Sequence, residues 1–224
     1  MALYTMADLH LSFSTGKPMD VFGDRWKDHP QKIAERWPLT EEDVIVLPGD
    51  FSWAIDFKEL AADMDFLESL PGKKILSKGN HDYWWDTVSK MKRFTAEAYP
   101  SVAFLHNNAY EIGDVSVCGT RGWTLENNDE DEKILNREVG RLRTSLQQAK
   151  NTPLVFLHYP PLFGNLRCDP ILEVLKEFGV KECYYGHLHG PGACALAVEG
   201  EREGIEFSLI AADRLDFTPR KIRD

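Results

Sequence analysis

Short apolar runs that end in polar residues recur along the chain and predict buried strands. Runs of this length, rich in β-forming residues and bounded by Gly, Pro or Asn, are typical of strands inside a sheet. Each run is followed within a few residues by aspartate, asparagine or histidine. The five runs lie at 3–6, 44–47, 74–77, 154–157 and 182–185.

Helical spacing of apolar residues predicts the elements between these strands. The predicted helices lie at 30–36, 58–70, 129–150 and 169–178, the last of them capped by Asp169 and ended by Gly179. Two stretches, 102–118 and 194–211, predict antiparallel strand pairs. Strands that alternate with helices and then give way to hairpins favour a mixed α/β fold with stacked layers, in one domain over 1–224.

Composition and charge narrow the class of protein. The chain has 224 residues and no run of roughly 18 apolar residues, so we expect no membrane span. The first residues lack a basic and apolar leader, which predicts no signal peptide. Four cysteines without a C-x-x-C pair predict reduced thiols in a cytoplasmic protein. A net charge of −10 disfavours nonspecific nucleic-acid binding, although a local metal site could reverse that field.

The polar residues behind the strands carry the candidate chemistry. Five of the seven histidines belong to this set. Function in α/β sheets collects at the carboxyl ends of strands, so these side chains are expected to converge. Imidazole and carboxylate together suit Mn, Fe, Zn or Co, and a carboxylate such as Asp50 can bridge two cations. The set is Asp8, His10, Asp50, Asn80, His81, Asp82, His158, His187 and His189.

The order of these residues resembles the signature blocks of the calcineurin-like metallophosphoesterases. The resemblance runs from residue 8 to residue 189 and implies a four-layer α-β-β-α sandwich of two mixed β-sheets flanked by helices. It also implies a dinuclear metal site at one end of the sheets. The matching blocks are Asp8-Leu9-His10, Gly49-Asp50, Gly79-Asn80-His81-Asp82, His158 and Gly186-His187-Leu188-His189.

Carried over position by position, the resemblance implies two ligand sets. One ion would take Asp8, His10, Asp50 and His189, and the other Asp50, Asn80, His158 and His187. His81 would be a catalytic histidine that binds no metal, with Asp82 as its partner.

The implied reaction is hydrolysis of a small phosphomonoester or phosphodiester by a hydroxide that bridges two divalent transition-metal ions. Mn²⁺ is the first choice, and Fe²⁺, Zn²⁺ and Co²⁺ are the others. Trp53 stands where purple acid phosphatases have a tyrosine ligand. An indole offers no anionic oxygen, so no tyrosinate–Fe(III) site is expected.

Substrate contacts and alternative functions stay open at this stage. Trp53 and Trp84 are candidate walls for a substrate ring, with core packing as the alternative. Arg121 is a candidate phosphate contact, with an ordinary surface arginine as the alternative. Residues 124–150 are a candidate helical cap over the site. A nuclease of the same fold and a non-catalytic interaction scaffold are the competing functions. The basic clusters are too modest to favour a nuclease, and the complete ligand set argues against a scaffold. The oligomeric state is left open.

Overall fold

The computed structural model describes residues 1–123 and 129–224, except for the side chains of residues 129–131. This part of the chain contains thirteen strands and six helices. The strands are β1 (Leu3–Thr5), β2 (Val44–Pro48), β3 (Lys73–Ser77), β4 (Val102–Phe104), β5 (Tyr110–Ile112), β6 (Val115–Thr120), β7 (Thr152–Leu157), β8 (Leu162–Phe163), β9 (Leu166–Arg167), β10 (Glu182–Tyr185), β11 (Gly200–Arg202), β12 (Ile205–Leu209) and β13 (Arg220–Arg223). The helices are α1 (His29–Glu35), α2 (Phe57–Ser69), α3 (Val88–Thr95), α4 (Asp129–Leu146), α5 (Asp169–Glu177) and α6 (Gly190–Cys194). Two 3₁₀ turns, Met19–Phe22 and Asp24–Trp26, precede α1.

Two large mixed sheets carry the architecture. The first has the order β13-β1-β2-β3-β4, with β13 antiparallel to β1 and the other neighbours parallel. The second has the order β11-β12-β10-β7-β6-β5, with antiparallel pairs only at its two edges. A short β8–β9 hairpin stands apart. Parallel strands end at the same edge of a sheet, so the loops after β1, β2, β3, β7 and β10 can share one site.

Alternation along the strands builds three apolar layers. In β2, Val44 and Val46 belong to the cluster between the sheets, while Ile45 and Leu47 belong to the cluster under the helices of the first sheet. A third cluster lies between the second sheet and helices α4 and α5. Successive side chains of a strand point to opposite faces, so a strand buried on both faces is apolar throughout. The four-layer sandwich implied by the sequence is confirmed.

One strand prediction is wrong in its pairing. Residues 102–118 do not form one antiparallel pair, because β4 pairs in parallel with β3 in the first sheet. The hairpin is the shorter β5–β6 pair in the second sheet. Segment 194–211 likewise begins with the end of α6, and its hairpin is β11–β12. Turn residues locate a hairpin, but they do not show which sheet an earlier strand joins.

Helix α4 contains most of the residues that the sequence predicted as a cap. Its Leu135, Leu142 and Leu146 are buried against the second sheet, so this helix is part of an outer layer. The cap prediction for 124–150 also falls on residues 124–128, which lie outside the described residues. Within the described ranges, no helix combines the length and the apolar character that crossing a bilayer requires.

Candidate metal centre

Side chains from five strand-to-loop junctions meet at one edge of the two sheets. Two groups of side chains lie there, and within each group the ligand atoms are all within 4.8 Å of one another. The first group is Asp8, His10 and His189, and the second is Asp50, His158 and His187. The predicted convergence of strand ends is therefore present in the structure.

Asp50 lies between the two groups. Its Oδ2 is 3.7 Å from His10 Nε2 and 3.5 Å from His158 Nε2. Asn80 joins the second group, since its Oδ1 is 2.6 Å from His158 Nε2. One carboxylate oxygen thus faces both groups, as a bridging ligand would. With Asp50 counted in both groups and Asn80 added to the second, the residues are those of the two ligand sets that the resemblance implies, and the assignment to individual ions stays a prediction.

Unusual backbone conformations turn these side chains inward. Asp8, His10, Asp50 and His187 all have positive φ values, of 62°, 47°, 52° and 71°. Such left-handed conformations are uncommon outside glycine and collect at functional sites. In an extended chain, His187 and His189 are two residues apart and would lie on the same face. The positive φ of His187 shows that the segment departs from the extended form at this point.

Glycines at two of the motifs allow the chain to approach the carboxylates. A Cβ at Gly186 would lie 2.3 Å from Asp8 Oδ2, and a Cβ at Gly79 would lie 2.1 Å from Asp50 Oδ1. Any larger residue would displace a candidate ligand. The glycines of Gly79-Asn80-His81-Asp82 and Gly186-His187-Leu188-His189 are therefore part of the site's geometry.

Asp82 ties together the loops after β2 and β3. Its Oδ2 accepts hydrogen bonds from the backbone N–H of Asp50 (2.9 Å) and of Gly79 (2.8 Å). Its Oδ1 accepts from the Phe51 N–H (3.0 Å) and the Trp84 indole (3.0 Å). Burial raises the pKa of Asp82 to about 6, although the N–H donors, Gly79 first, act to lower it. Both oxygens are committed to the loops, so the contacts favour a structural role over direct partnership with the His81 ring.

Changing Asp82 to Asn is expected to destabilise the fold. An amide NH₂ would face N–H donors where a carboxylate oxygen now accepts, which costs about 2–4 kcal/mol of unfolding free energy. Urea unfolding of the metal-free protein measures this. The exposed Asp86→Asn variant is the control, and its expected change is much smaller because solvent screens the charge of this side chain. An unchanged stability with lost activity would instead support the catalytic partnership with His81.

Asp213 is a site residue that sequence reasoning missed. Its Oδ1 lies 2.9 Å from His189 Nδ1, and its Oδ2 accepts the Gly190 N–H at 3.0 Å. This contact turns His189 Nε2 toward Asp8 Oδ1, at 3.5 Å. Burial acts to lower the pKa of His189, but Asp8 and Asp213 outweigh it and raise that pKa to about 10. The available signal was positional, because Asp213 follows the apolar residues at the end of β12 as the other site residues follow their strands.

Removing the Asp213 carboxylate is expected to weaken metal binding. Partners that orient a histidine ligand typically contribute about 10- to 100-fold in metal affinity, so Asp213→Ala should lose about that much. Calorimetric titration of the metal-free protein with Mn²⁺ measures the loss. Asp114→Ala, at an exposed hairpin turn, is the matched control. Equal Mn²⁺ affinity in the two variants would show that Asp213 does not position a ligand.

The protonation states of the site fit divalent cations. Burial lowers the pKa of His10 and of His158 far below the usual value, and neighbouring histidines lower it further. Both rings are therefore neutral near pH 7, which is the form that binds metal. Burial, followed by the nearby Asp82 and Asp8, raises the pKa of Asp50 well above its usual value. A cation beside this carboxylate would favour its ionised form. The neutral imidazoles of His10 and His158, the carboxylates and the amide oxygen thus form a donor set that suits a transition metal. A cation bound by His189 would have to displace the proton that its raised pKa retains.

His81 and Trp53 stand at the entrance to the site. They line a cavity of about 250 Å³ together with His10, His189 and the aromatic Trp26. The His81 ring is 4.3 Å from the Trp53 ring, and Trp53 stacks on His10 at 5.0 Å. Both residues are placed where a substrate could reach them.

The other two predicted substrate contacts lie elsewhere. Trp84 is only 3% exposed and packs in the core behind the loop, where it cannot serve as a substrate wall. Arg121 is not an ordinary surface arginine, because its guanidinium is 3.7 Å from Glu138 and 4.7 Å from the Trp123 ring. It lines a second cavity beside the site.

Comparison with known proteins identifies the family. The family model described as calcineurin-like phosphoesterase matches residues 1–191, which is most of the chain. The chain therefore belongs to the calcineurin-like phosphoesterase family, whose members are metal-dependent phosphoester hydrolases. A search of curated proteins gave no significant match.

Solved structures share the fold at low sequence identity. The phosphopantetheinyl hydrolase PptH from Mycobacterium tuberculosis has a TM-score of 0.60 and 15% identity, with 99% of this chain and 95% of that chain covered. TT1561 from Thermus thermophilus has a TM-score of 0.54 and 12% identity, with 99% and 97% covered. The protein of unknown function AQ665 from Aquifex aeolicus has a TM-score of 0.51 and 16% identity, with 98% and 95% covered.

Proposed function

We propose that this protein hydrolyses a small phosphomonoester or phosphodiester with two divalent metal ions. The observation that carries the proposal is the pair of donor groups that share Asp50. Asp8, His10, Asp50 and His189 would hold one ion. Asp50, Asn80, His158 and His187 would hold the other.

The donor chemistry supports our choice of metal. Mixed imidazole and carboxylate ligands favour Mn²⁺, Fe²⁺, Zn²⁺ or Co²⁺ over Ca²⁺ or Mg²⁺, and Mn²⁺ is our first choice. Two such ions supply Lewis acidity and a water of lowered pKa, which is the nucleophile that phosphoester hydrolysis needs. The protein's own contribution is to fix the ligands, through the left-handed backbone and the Asp82 and Asp213 contacts.

His81 is the proposed catalytic histidine. Its backbone N–H donates to Asp50 Oδ1 at 2.8 Å, which fixes the residue beside the donor groups without using its ring. Burial, and after it the nearby His187, lowers the pKa of His81, so the ring is largely neutral near pH 7. A neutral ring still has one N–H, which can donate to the leaving oxygen of the substrate and stabilise its developing charge.

Hydrolysis of paired chromogenic esters tests this function. We expect metal-free protein reloaded with Mn²⁺ to turn over 4-nitrophenyl phosphate or bis-4-nitrophenyl phosphate above an Asp50→Asn blank. The faster ester decides between phosphatase and phosphodiesterase. A protein that binds neither metal nor ester would contradict the proposal and favour an interaction scaffold.

A further inference from the structure

A second cavity, of about 380 Å³, is lined by residues that are close in the chain to candidate ligands, although none of those ligands is among its described lining. Its lining comes from the ends of β3, β4 and β6 and from α4. Lys78 in this lining precedes Asn80 by two residues. The backbone carbonyl of Arg121, also in the lining, accepts the N–H of His158 at 3.1 Å. The cavity thus borders the candidate ligands along two chain segments.

The lining of this cavity is cationic in an otherwise acidic protein. Lys78, Arg121 and Arg141 face the buried Glu138, which cannot balance all three. Among the described lining residues the other carboxylate is that of Asp86, which is already bonded to Lys90 at 2.7 Å. Because the whole chain has a net charge of −10, this local excess of positive charge favours an anionic ligand in the cavity.

Glu138 holds the two arginines in place and leaves donors unused. Its Oε1 is 2.6 Å from Arg141 Nη1 and 3.7 Å from Arg121 Nη2, and its Oε2 accepts the Thr120 hydroxyl. The Arg121 Nε is buried without an acceptor. Among the residues that the structure describes, Lys78 has neither an acceptor nor an ion-pair partner. The buried Arg121 Nε–H is costly to leave without a partner, and the half-buried Lys78 ammonium adds an unpaired charge beside it, so the two favour a bound anion.

We propose that this cavity binds a second phosphate group of the substrate, so that the preferred substrate is a phosphoester that carries another phosphate. A planar guanidinium matches phosphate oxygens, and a lysine ammonium adds charge without a fixed geometry. The ester to be cleaved occupies the metal centre, and the second phosphate lies against Lys78, Arg121 and Arg141. The inference rests on the proposed function, because it deepens the substrate class of the same site.

A series of diol phosphates tests the inference. The Mn²⁺-loaded enzyme is given the bisphosphates of ethanediol, propanediol, butanediol and hexanediol, each beside its monophosphate. For the spacer that fits, kcat/KM for the bisphosphate should exceed that for the monophosphate by about tenfold or more, which is the worth of charge-assisted hydrogen bonds. A ratio no larger than the statistical factor for two equivalent phosphates, at every spacer, would overturn the inference.

Charge-removing variants assign the preference to the cavity. Lys78→Gln and Arg141→Gln should each lose most of the bisphosphate preference through KM, with hydrolysis of the monophosphate and Mn²⁺ content retained. Arg143→Gln removes the same charge from the same helix, but Arg143 pairs with Glu177 outside the cavity, so it should keep the preference. If Arg143→Gln loses the preference as strongly as Arg141→Gln, the effect is long-range charge and the cavity is not a phosphate site.

A binding measurement separates this inference from the proposed hydrolysis. Calorimetry compares propane bisphosphonate with propyl phosphonate, which the enzyme cannot hydrolyse, on wild-type and Lys78→Gln protein. We expect the bisphosphonate to bind about tenfold tighter to the wild type and to lose that advantage in the variant. Equal affinities would contradict the second site even if the esters are hydrolysed. Tighter bisphosphonate binding without hydrolysis would instead contradict only the proposed function.

Discussion

Asp50→Asn protein is expected to bind neither metal ion tightly and to lose phosphoester hydrolysis. Asp50 Oδ2 faces both donor groups, so its loss removes the one ligand that they share. A neutral amide also withdraws one negative charge from between two cations. Metal analysis after reloading with Mn²⁺ should show low occupancy of both positions together.

The same substitution is expected to stabilise the metal-free fold. Burial and the nearby Asp82 and Asp8 raise the pKa of Asp50, which means that the folded chain disfavours its charged form. Asn removes that penalty near pH 7, so thermal unfolding of metal-free Asp50→Asn should occur at or above the wild-type temperature, while added Mn²⁺ should raise only the wild-type value. Asp114→Asn is the control for a charge change away from the site. Full occupancy of both positions in Asp50→Asn would contradict the bridging role.

His81→Ala protein is expected to keep both metals and to lose about 10²- to 10⁴-fold in kcat. The ring belongs to neither donor group but lines the same cavity as His10 and His189, so its loss should spare metal binding. The measurement is kcat at saturating ester, with metal content determined on the same sample.

Two further variants make the His81 result specific. His81→Asn keeps an N–H donor and should recover part of the lost rate. Added imidazole should partly rescue His81→Ala, because the space left by the ring opens to the cavity. Unchanged turnover in His81→Ala would remove this residue from the mechanism.

The residues that converge at the site could be predicted because their signals are local. A buried strand is an apolar run, and the polar residue that follows it lies at the end of that strand. Since parallel neighbours end at one edge of a sheet, Asp8 and Asp50 could be grouped before their distances were known. His158 follows β7 in the second sheet, so its place beside them depends on how the two sheets pack. The spacing of Gly186-His187-Leu188-His189 places both histidines on one side of an extended chain, but it gave no sign of the left-handed conformation of His187.

What the sequence could not predict depends on contacts between distant loops. Asp82 was expected to support His81, but its oxygens accept N–H donors from the loops after β2 and β3, which only the folded arrangement brings together. His29 lies in no apolar run, yet it packs against Trp26 and Phe217 and is 5% exposed. The edge strand β13 has three basic residues and a single isoleucine, with no apolar run, so no pattern marked it.

The most direct test of a shared metal centre is to measure ester hydrolysis while metal is added back to the metal-free protein. Metal-free protein receives Mn²⁺ in increments, and bound metal and ester turnover are determined on each sample. We expect Mn²⁺ binding to saturate at two ions per chain and ester turnover to rise with the second equivalent of Mn²⁺. Full turnover in the metal-free protein, or saturation at one ion with full turnover, would contradict a shared centre built on Asp50.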